Sequence, residues 1–211
     1  MLGRFDCASG LVNVLYTNGD LVVRNAVVSD ASGLVNVYAP FIDKIQKENS
    51  YAVGFIQRTI WDKYVFGGER NFFVLLVEAN HDPVGYCLVT PGRTHGDYVR
   101  IQQIAVRQDA RRLAYGSALT GVIRDFCSEH QRAGARLRCR ADLESNLFWR
   151  ALGFVCYGVW EKGKVNHVGF KASNDINLWQ VDFDGESRLF LVSPEEVEPV
   201  MDGRAVGASS R

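Results

Sequence analysis

Six consecutive residues, Arg111-Arg112-Leu113-Ala114-Tyr115-Gly116, have the makeup of an anion cradle. Two guanidiniums lead into a turn with small residues, and a helical pattern starts at once behind it. The first turn of a helix offers unpaired backbone N–H groups and a partial positive charge. Small residues in the turn before it let the backbone close on a diphosphate. The ordinary alternative is a strand-to-helix turn with solvated arginines, and six residues alone do not separate the two.

A second chemistry-bearing stretch is Arg136-Leu137-Arg138-Cys139-Arg140. Its strict alternation has the period of a strand and puts three arginines on one face. A charged row on an interior strand meets either solvent or an anion. Joined by Arg100 and Arg132, it would suit a carboxylate, a phosphate or nucleic acid; Arg100, Arg138 and Arg140 are then the candidate acceptor contacts. The ordinary reading is a solvated face with salt bridges to Asp142 or Glu144. No metal site is expected: the four histidines are scattered, and none has a ligand spacing. The five cysteines are odd in number and contain no CxxC pair, and Cys87, Cys139 and Cys156 fall in apolar runs. Buried reduced thiols are the reading, and hence a reducing, cytoplasmic setting.

The elements that must position these groups follow from periodicity. Leu11–Tyr16 and Leu21–Val23 read as two strands of a hairpin, with Asn18-Gly19 as the turn centre. Ser29 and Asp30 are helix N-cap residues, and helices are expected over 31–46 and 51–64. Asn71–Glu78 and Val84–Val89 are strands around an Asn80–Pro83 turn, followed by a strand over Tyr98–Val106. A helix spans Gly116 to Ala133, with Leu119, Val122, Ile123 and Phe126 at helical spacing and Gly134 as its stop. Arg136–Arg140 is a strand, Leu143–Leu152 a short helix closed by Gly153, and Phe154–Trp160 a strand. Further strands are expected at Val165–Lys171, Leu178–Phe183 and Arg188–Val192, with a turn at Asp184-Gly185. Residues 1–20 form an N-terminal strand extension, 21–193 one mixed α/β (α+β) domain around a central sheet, and 194–211 a disordered tail.

Lysine plus arginine number 24 and aspartate plus glutamate 24, so no whole-protein field draws the chain to nucleic acid or an anionic membrane. A local basic patch stays open. No apolar run approaches the ~20 residues of a membrane span, and no signal peptide is expected.

The segment from Tyr98 to Phe154 resembles the GNAT superfamily of N-acetyltransferases. Arg111–Gly116 is similar to that superfamily's acetyl-CoA pyrophosphate loop, Gln/Arg-x-x-Gly-x-Gly/Ala, with Ala114 in place of the first glycine. Asp142 to Phe154 follows the spacing of the family's short helix, Asn-x-x-Ala-x-x-x-Tyr-x-x-x-Gly-Phe, and begins 26 residues after Gly116, as one helix and one strand require. The resemblance covers Leu21 to Trp160.

It implies a mostly antiparallel sheet whose central strands splay, with acetyl-CoA as cofactor. Backbone groups of Ile104, Ala105 and Val106 would pair with the pantetheine arm, and an N–H there would act as an oxyanion donor. Arg111, Arg112, Leu113, Ala114, Tyr115, Gly116 and Ser117 would hold the diphosphate end. Ser145, Phe148 and Trp149 of the short helix would complete the cofactor set. An amine of a small molecule or protein would attack the thioester directly.

Two departures stand out. The position of the family's usual carboxylate base is Arg100, which cannot accept a proton near neutrality. The position of its usual tyrosine acid is Trp149. A water relayed by Gln102, Gln103 or a carboxylate such as Asp97 would then take the proton, or the amine arrives neutral; binding of acetyl-CoA without much catalysis is the remaining reading. Tyr115 and Tyr157 are substitute acids on paper, against the ordinary reading of packing with a satisfied hydroxyl. A nucleic-acid-modifying enzyme on the same fold is a second, less favoured class, and a homodimer is left open.

Overall fold

The computed structural model describes residues 5, 11–27, 30, 72–93, 96–164 and 174–183. Their strands are β1 (Val14–Asn18), β2 (Leu21–Asn25), β3 (Phe73–Ala79), β4 (Asp82–Thr90), β5 (Tyr98–Val106), β6 (Gly134–Arg140), β7 (Val155–Trp160) and β8 (Ile176–Asp182). Their α-helices are α1 (Tyr115–Glu129) and α2 (Ser145–Ala151). The expected helices over 31–46 and 51–64, the strands at 165–171 and 188–192, the 184–185 turn and the tail lie outside the described residues.

The strands form one sheet in the order β1-β2-β3-β4-β5-β6-β8-β7. Every pairing is antiparallel except β5 with β6. Phe73 to Val77 of β3 are fully buried, as their unbroken apolar run requires of a strand covered on both faces. The helix α1 lays Leu119, Val122, Ile123 and Phe126 on the sheet, the four residues picked out by helical spacing. Phe126 meets Phe5 edge-on at 4.9 Å between ring centroids and lies 4.8 Å from Phe73, so the far N-terminus joins the core.

The hairpin turns differ from one another in a way φ explains. Between β3 and β4, Asn80 and His81 have φ of 50° and 65°, as a type I′ turn demands at both centres. Between β1 and β2 the expected turn centre is shifted by one residue. Asn18 pairs with Leu21, so Gly19-Asp20 forms the corner, with only Gly19 at positive φ (57°). Asp30 accepts hydrogen bonds from the Arg24 guanidinium (2.8 and 2.9 Å) and the Val27 amide (2.7 Å). The helix it was expected to cap lies outside the described residues.

The end of α1 also differs from expectation. The helix stops at Glu129, and Gln131 takes the left-handed φ of 52° that terminates it. Gly134 is instead the first residue of β6. A Cβ there would stand 2.0 Å from the Val181 carbonyl oxygen of β8, so only glycine admits this approach.

Burial pushes the Cys127 thiol up to about 12 and drives the Cys87 thiol higher still, so neither is an available nucleophile at neutral pH. Among the described residues no group of three or more His, Cys, Asp or Glu side chains could hold a metal ion. None of the described helices is long and apolar enough to cross a membrane.

Candidate acyl-CoA site

The two parallel strands β5 and β6 run side by side for four rungs only, from Tyr98–Gly134 to Ile101–Leu137. Beyond that point they part. On one arm, Gln103 to Val106 stays paired with β4, while on the other Arg138 to Arg140 is paired with β8. A V-shaped opening therefore splits the sheet, and the β6-facing edge of β5 has no strand partner from Gln102 onward. An unpaired edge of this kind accepts another extended chain in strand fashion.

A β-bulge sits at the base of the V. Leu88 pairs with Gln103 and Val89 with Ile101, so Gln102 is the extra residue. The bulge turns Gln102 and Gln103 toward the same sheet face. Gln102 donates to Thr90 Oγ1 at 2.9 Å, and Gln103 Oε1 accepts from the buried Tyr86 hydroxyl at 3.4 Å. The sequence carries the signal: apolar residues alternate at Val99 and Ile101 and again at Ile104 and Val106, with the phase slipped by one between them. Asp97 lies before β5, where its carboxylate accepts the Arg93 amide at 3.0 Å.

Behind β5, a short 3-10 turn (Gln108–Ala110) leads to the loop and α1. Arg107 is committed elsewhere, held by Asp82 and Asp109 at 2.6 Å each. Arg111 is exposed and reaches back to the Val106 carbonyl at 3.4 Å, while Arg112 and Leu113 are exposed too. The N-cap residue is Ala114; no side chain caps the helix, and its first turn holds no acidic residue. Its leading amides and dipole therefore face outward uncompensated.

Arg112 and Ala114 both adopt left-handed φ, 65° and 62°. Alanine disfavours this conformation, and the loop adopts it nonetheless. The geometry is the one a glycine would hold, at a cost of about 1 kcal/mol. Ala114→Gly is accordingly expected to stabilise the chain by roughly 0.5–1 kcal/mol in urea unfolding without shifting α1. A destabilised variant would show that the loop does not rest in this geometry.

The loop meets the second motif in space. A Cβ on Gly116 would come within 2.9 and 3.1 Å of the Phe148 ring. Phe148, on α2, is half-buried and packs 4.8 Å from Trp149, which in turn packs 5.1 Å from Phe154. Trp149 is a core residue, 3% exposed. It offers no acidic hydroxyl. Ser145 starts α2, with its hydroxyl 3.2 Å from the Cys139 sulfur.

One residue of α2 was not picked out from sequence. The amide nitrogen of Asn146 donates to the carbonyls of Arg140, Ala141 and Leu143, at 2.8, 3.2 and 2.7 Å. Its oxygen accepts from the Trp179 indole at 2.9 Å and from Asn177 at 3.1 Å. Asn146 thus ties α2 to the far arm of the V.

Arg136, Arg138 and Arg140 all lie exposed on one face of β6, as the alternation requires. Arg140 pairs with Asp142, whose carboxyl it holds below the usual range. The Arg136 guanidinium lies 3.8 Å over the Tyr98 ring and 5.7 Å from that of Tyr157, while Arg138 lies 5.3 Å over Trp160. Tyr157, the extra residue of a bulge in β7, is half exposed on this arginine face. Tyr115 is half-buried and packs against the core behind the loop.

An uncapped helix start beside a split sheet with a free strand edge can take an anion at the helix amides and an extended chain along the edge. A family model described as the acetyltransferase (GNAT) family matches residues 39–154, more than half of the chain. The chain belongs to that family, and acetyl-CoA is the family's acyl donor.

Among solved structures, the chain is similar to Ard1 from Thermoplasma volcanium, with 19% identity and a TM-score of 0.58 over 77% of this chain and 97% of that one. It is similar to the ribosomal-protein-S18-alanine N-acetyltransferase from Escherichia coli at 16% identity and a TM-score of 0.56, covering 81% and 99%. It is also similar to yncA from Salmonella typhimurium, crystallised with its cofactor acetyl-CoA, at 16% identity and a TM-score of 0.56, covering 82% and 100%. At these identities the likeness is one of fold, and that fold is a mixed α/β sheet. No curated protein matches the chain in sequence.

Proposed function

We propose that the chain transfers an acetyl group from acetyl-CoA to a primary amine of a small molecule or protein, by direct attack of the amine. The observation that carries this reading is the V between β5 and β6 with the uncapped start of α1 at its side. Acetyl-CoA supplies the activated acyl group. The first-turn amides at Tyr115, Gly116 and Ser117, with Arg111, Arg112 and the turn at Leu113-Ala114, hold the diphosphate end. The free edge over Ile104, Ala105 and Val106 orients the arm, and one of its N–H groups stabilises the negative charge that develops on the reacting carbonyl oxygen. Phe148 closes the wall beside Gly116, with Ser145 and Trp149 behind it.

Proton handling is left to weak groups. Arg100 is exposed and cannot serve as a base. The bulge presents Gln102 and Gln103 beside the opening, where they can hold a water that takes the proton from the amine. Tyr157 is the hydroxyl on the same face. Lacking a strong acid–base pair costs ~10²–10⁴-fold in rate rather than all of it. The rate is therefore expected to climb with pH as the acceptor amine becomes neutral.

Thiol release from acetyl-CoA in the presence of candidate amines tests the reading. Amine-dependent release is expected; tight acetyl-CoA binding with no release for any amine would reduce the domain to a binding module.

A further inference from the structure

Four arginines stand at the V, and among the described residues only Arg140 is paired with a carboxylate. Arg100 and Arg136 are directly opposite on the parallel strands, one rung before the strands part. Their backbones are about 4.8 Å apart, and Arg138 follows two residues on, roughly 6.6 Å along the strand, on the far arm. Like charges placed opposite one another on a sheet repel. Yet within 4.0 Å no carboxylate of the described residues meets Arg100, Arg136 or Arg138; only Arg140 is matched, by Asp142. The Arg100 side chain has no hydrogen-bond partner among the described residues, and the Arg138 side chain has only the Trp160 ring.

Neighbours hold Arg136 in place without neutralising it, and Arg138 is stacked on Trp160. Arg136 is stacked on Tyr98 and fixed through Nε, which donates to Gln180 at 2.7 Å. Gln180 is in turn held by Tyr98 and Asp182, each at 2.9 Å, and the Tyr98 hydroxyl donates to Asp182 at 2.5 Å. That network consumes the Asp182 carboxylate on tyrosine and glutamine, and its bond raises the Tyr98 hydroxyl above its ordinary range. Clustered guanidiniums without a carboxylate, one of them fixed, are an arrangement that receives a planar or tetrahedral anion. Arg100 sits on the face that carries Gln102, because Thr90, the Gln102 partner, is paired with Arg100.

We infer that the acceptor carries an anionic group, a carboxylate or a phosphate, on the same molecule as its amine, and that Arg100, Arg136 and Arg138 receive it. The inference rests on the reading above that the acceptor meets the thioester at the V. A neutral amine would leave three guanidiniums facing one another uncompensated, whereas an anionic one relieves them as it docks.

Matched probes test it by calorimetry, on the chain alone and saturated with coenzyme A: phosphoethanolamine against ethanolamine, and 4-aminobutyrate against 4-aminobutanamide, the second member of each pair lacking the anion. At least one anionic member is expected to bind about tenfold or more tighter than its neutral twin. The pair that responds distinguishes phosphate from carboxylate. In the Arg100→Ala, Arg138→Ala double variant the preference is expected to fall below about twofold, with the thermal midpoint retained because both side chains are exposed.

Equal binding of both members of both pairs would overturn the inference, as would a preference that survives the double variant. So would salt-sensitive retention of a short single-stranded DNA that is lost in the double variant, which would make the row a nucleic-acid track. If acetyl-CoA itself failed to bind while the anion preference held, the transferase reading would fail and the anion site would stand.

Discussion

Gly116→Glu is expected to weaken acetyl-CoA binding by at least ~100-fold, about 2.7 kcal/mol, while the chain stays folded. Two effects act together at the ligand. The new side chain must displace the Phe148 ring, which stands 2.9 Å from the added Cβ, and it brings a carboxylate to the helix start proposed to receive the diphosphate. The fold is spared for separable reasons. The ring tip can swing, and a glutamate in the first turn of a helix is favourable to that helix by about 0.3–1 kcal/mol. Binding and stability should thus move in opposite directions or stability not at all. Calorimetry for affinity and urea unfolding for stability read the two. An unchanged dissociation constant in a folded variant would rule out this helix start as the diphosphate site.

Asn146→Ala is expected to cost about 2–4 kcal/mol of stability and to lower the thermal midpoint by roughly 5–10 °C. The magnitude follows from what is left behind. Trp179 is 3% exposed, so its indole N–H loses its acceptor at a largely buried side chain, and the carbonyls of Arg140, Ala141 and Leu143 lose a shared donor. An unsatisfied buried donor alone costs about 1–3 kcal/mol. Because α2 carries Phe148 against Gly116, acetyl-CoA affinity should fall as well, by less than in Gly116→Glu. Four residues away, Asp142→Ala provides the contrast. Its pair with Arg140 is solvent-exposed on both sides, so the midpoint is expected to stay where it is. Equal midpoints for Asn146→Ala and the parent would mean that α2 is docked by its apolar face alone.

What could be read without coordinates was local in sequence. The loop and α1 are legible because a helix start is specified within a few residues, and the alternation in Arg136–Arg140 reports its exposed face directly. The V was not legible in itself: its position depends on where β5 and β6 stop pairing, and only the resemblance supplied it. Asn146 escaped notice because it occupies an unspecified place in the spaced motif, and its indole partner lies 33 residues further on. Gly134 was taken for a helix stop because glycine signals a stop locally, whereas its reason is the Val181 backbone of β8. The bulge at Gln102 was visible as a slipped apolar phase and could have been caught. For the V, Asn146 and Gly134 the deciding partner is distant along the chain, where periodicity carries no information.

Amide chemical-shift mapping on addition of coenzyme A tests the central claim most directly. The largest perturbations are expected at Arg112 to Ser117 and at Ile104 to Val106, the start of α1 and the free edge of β5. Shifts confined to other parts of the sheet, or none at saturating coenzyme A, would contradict it.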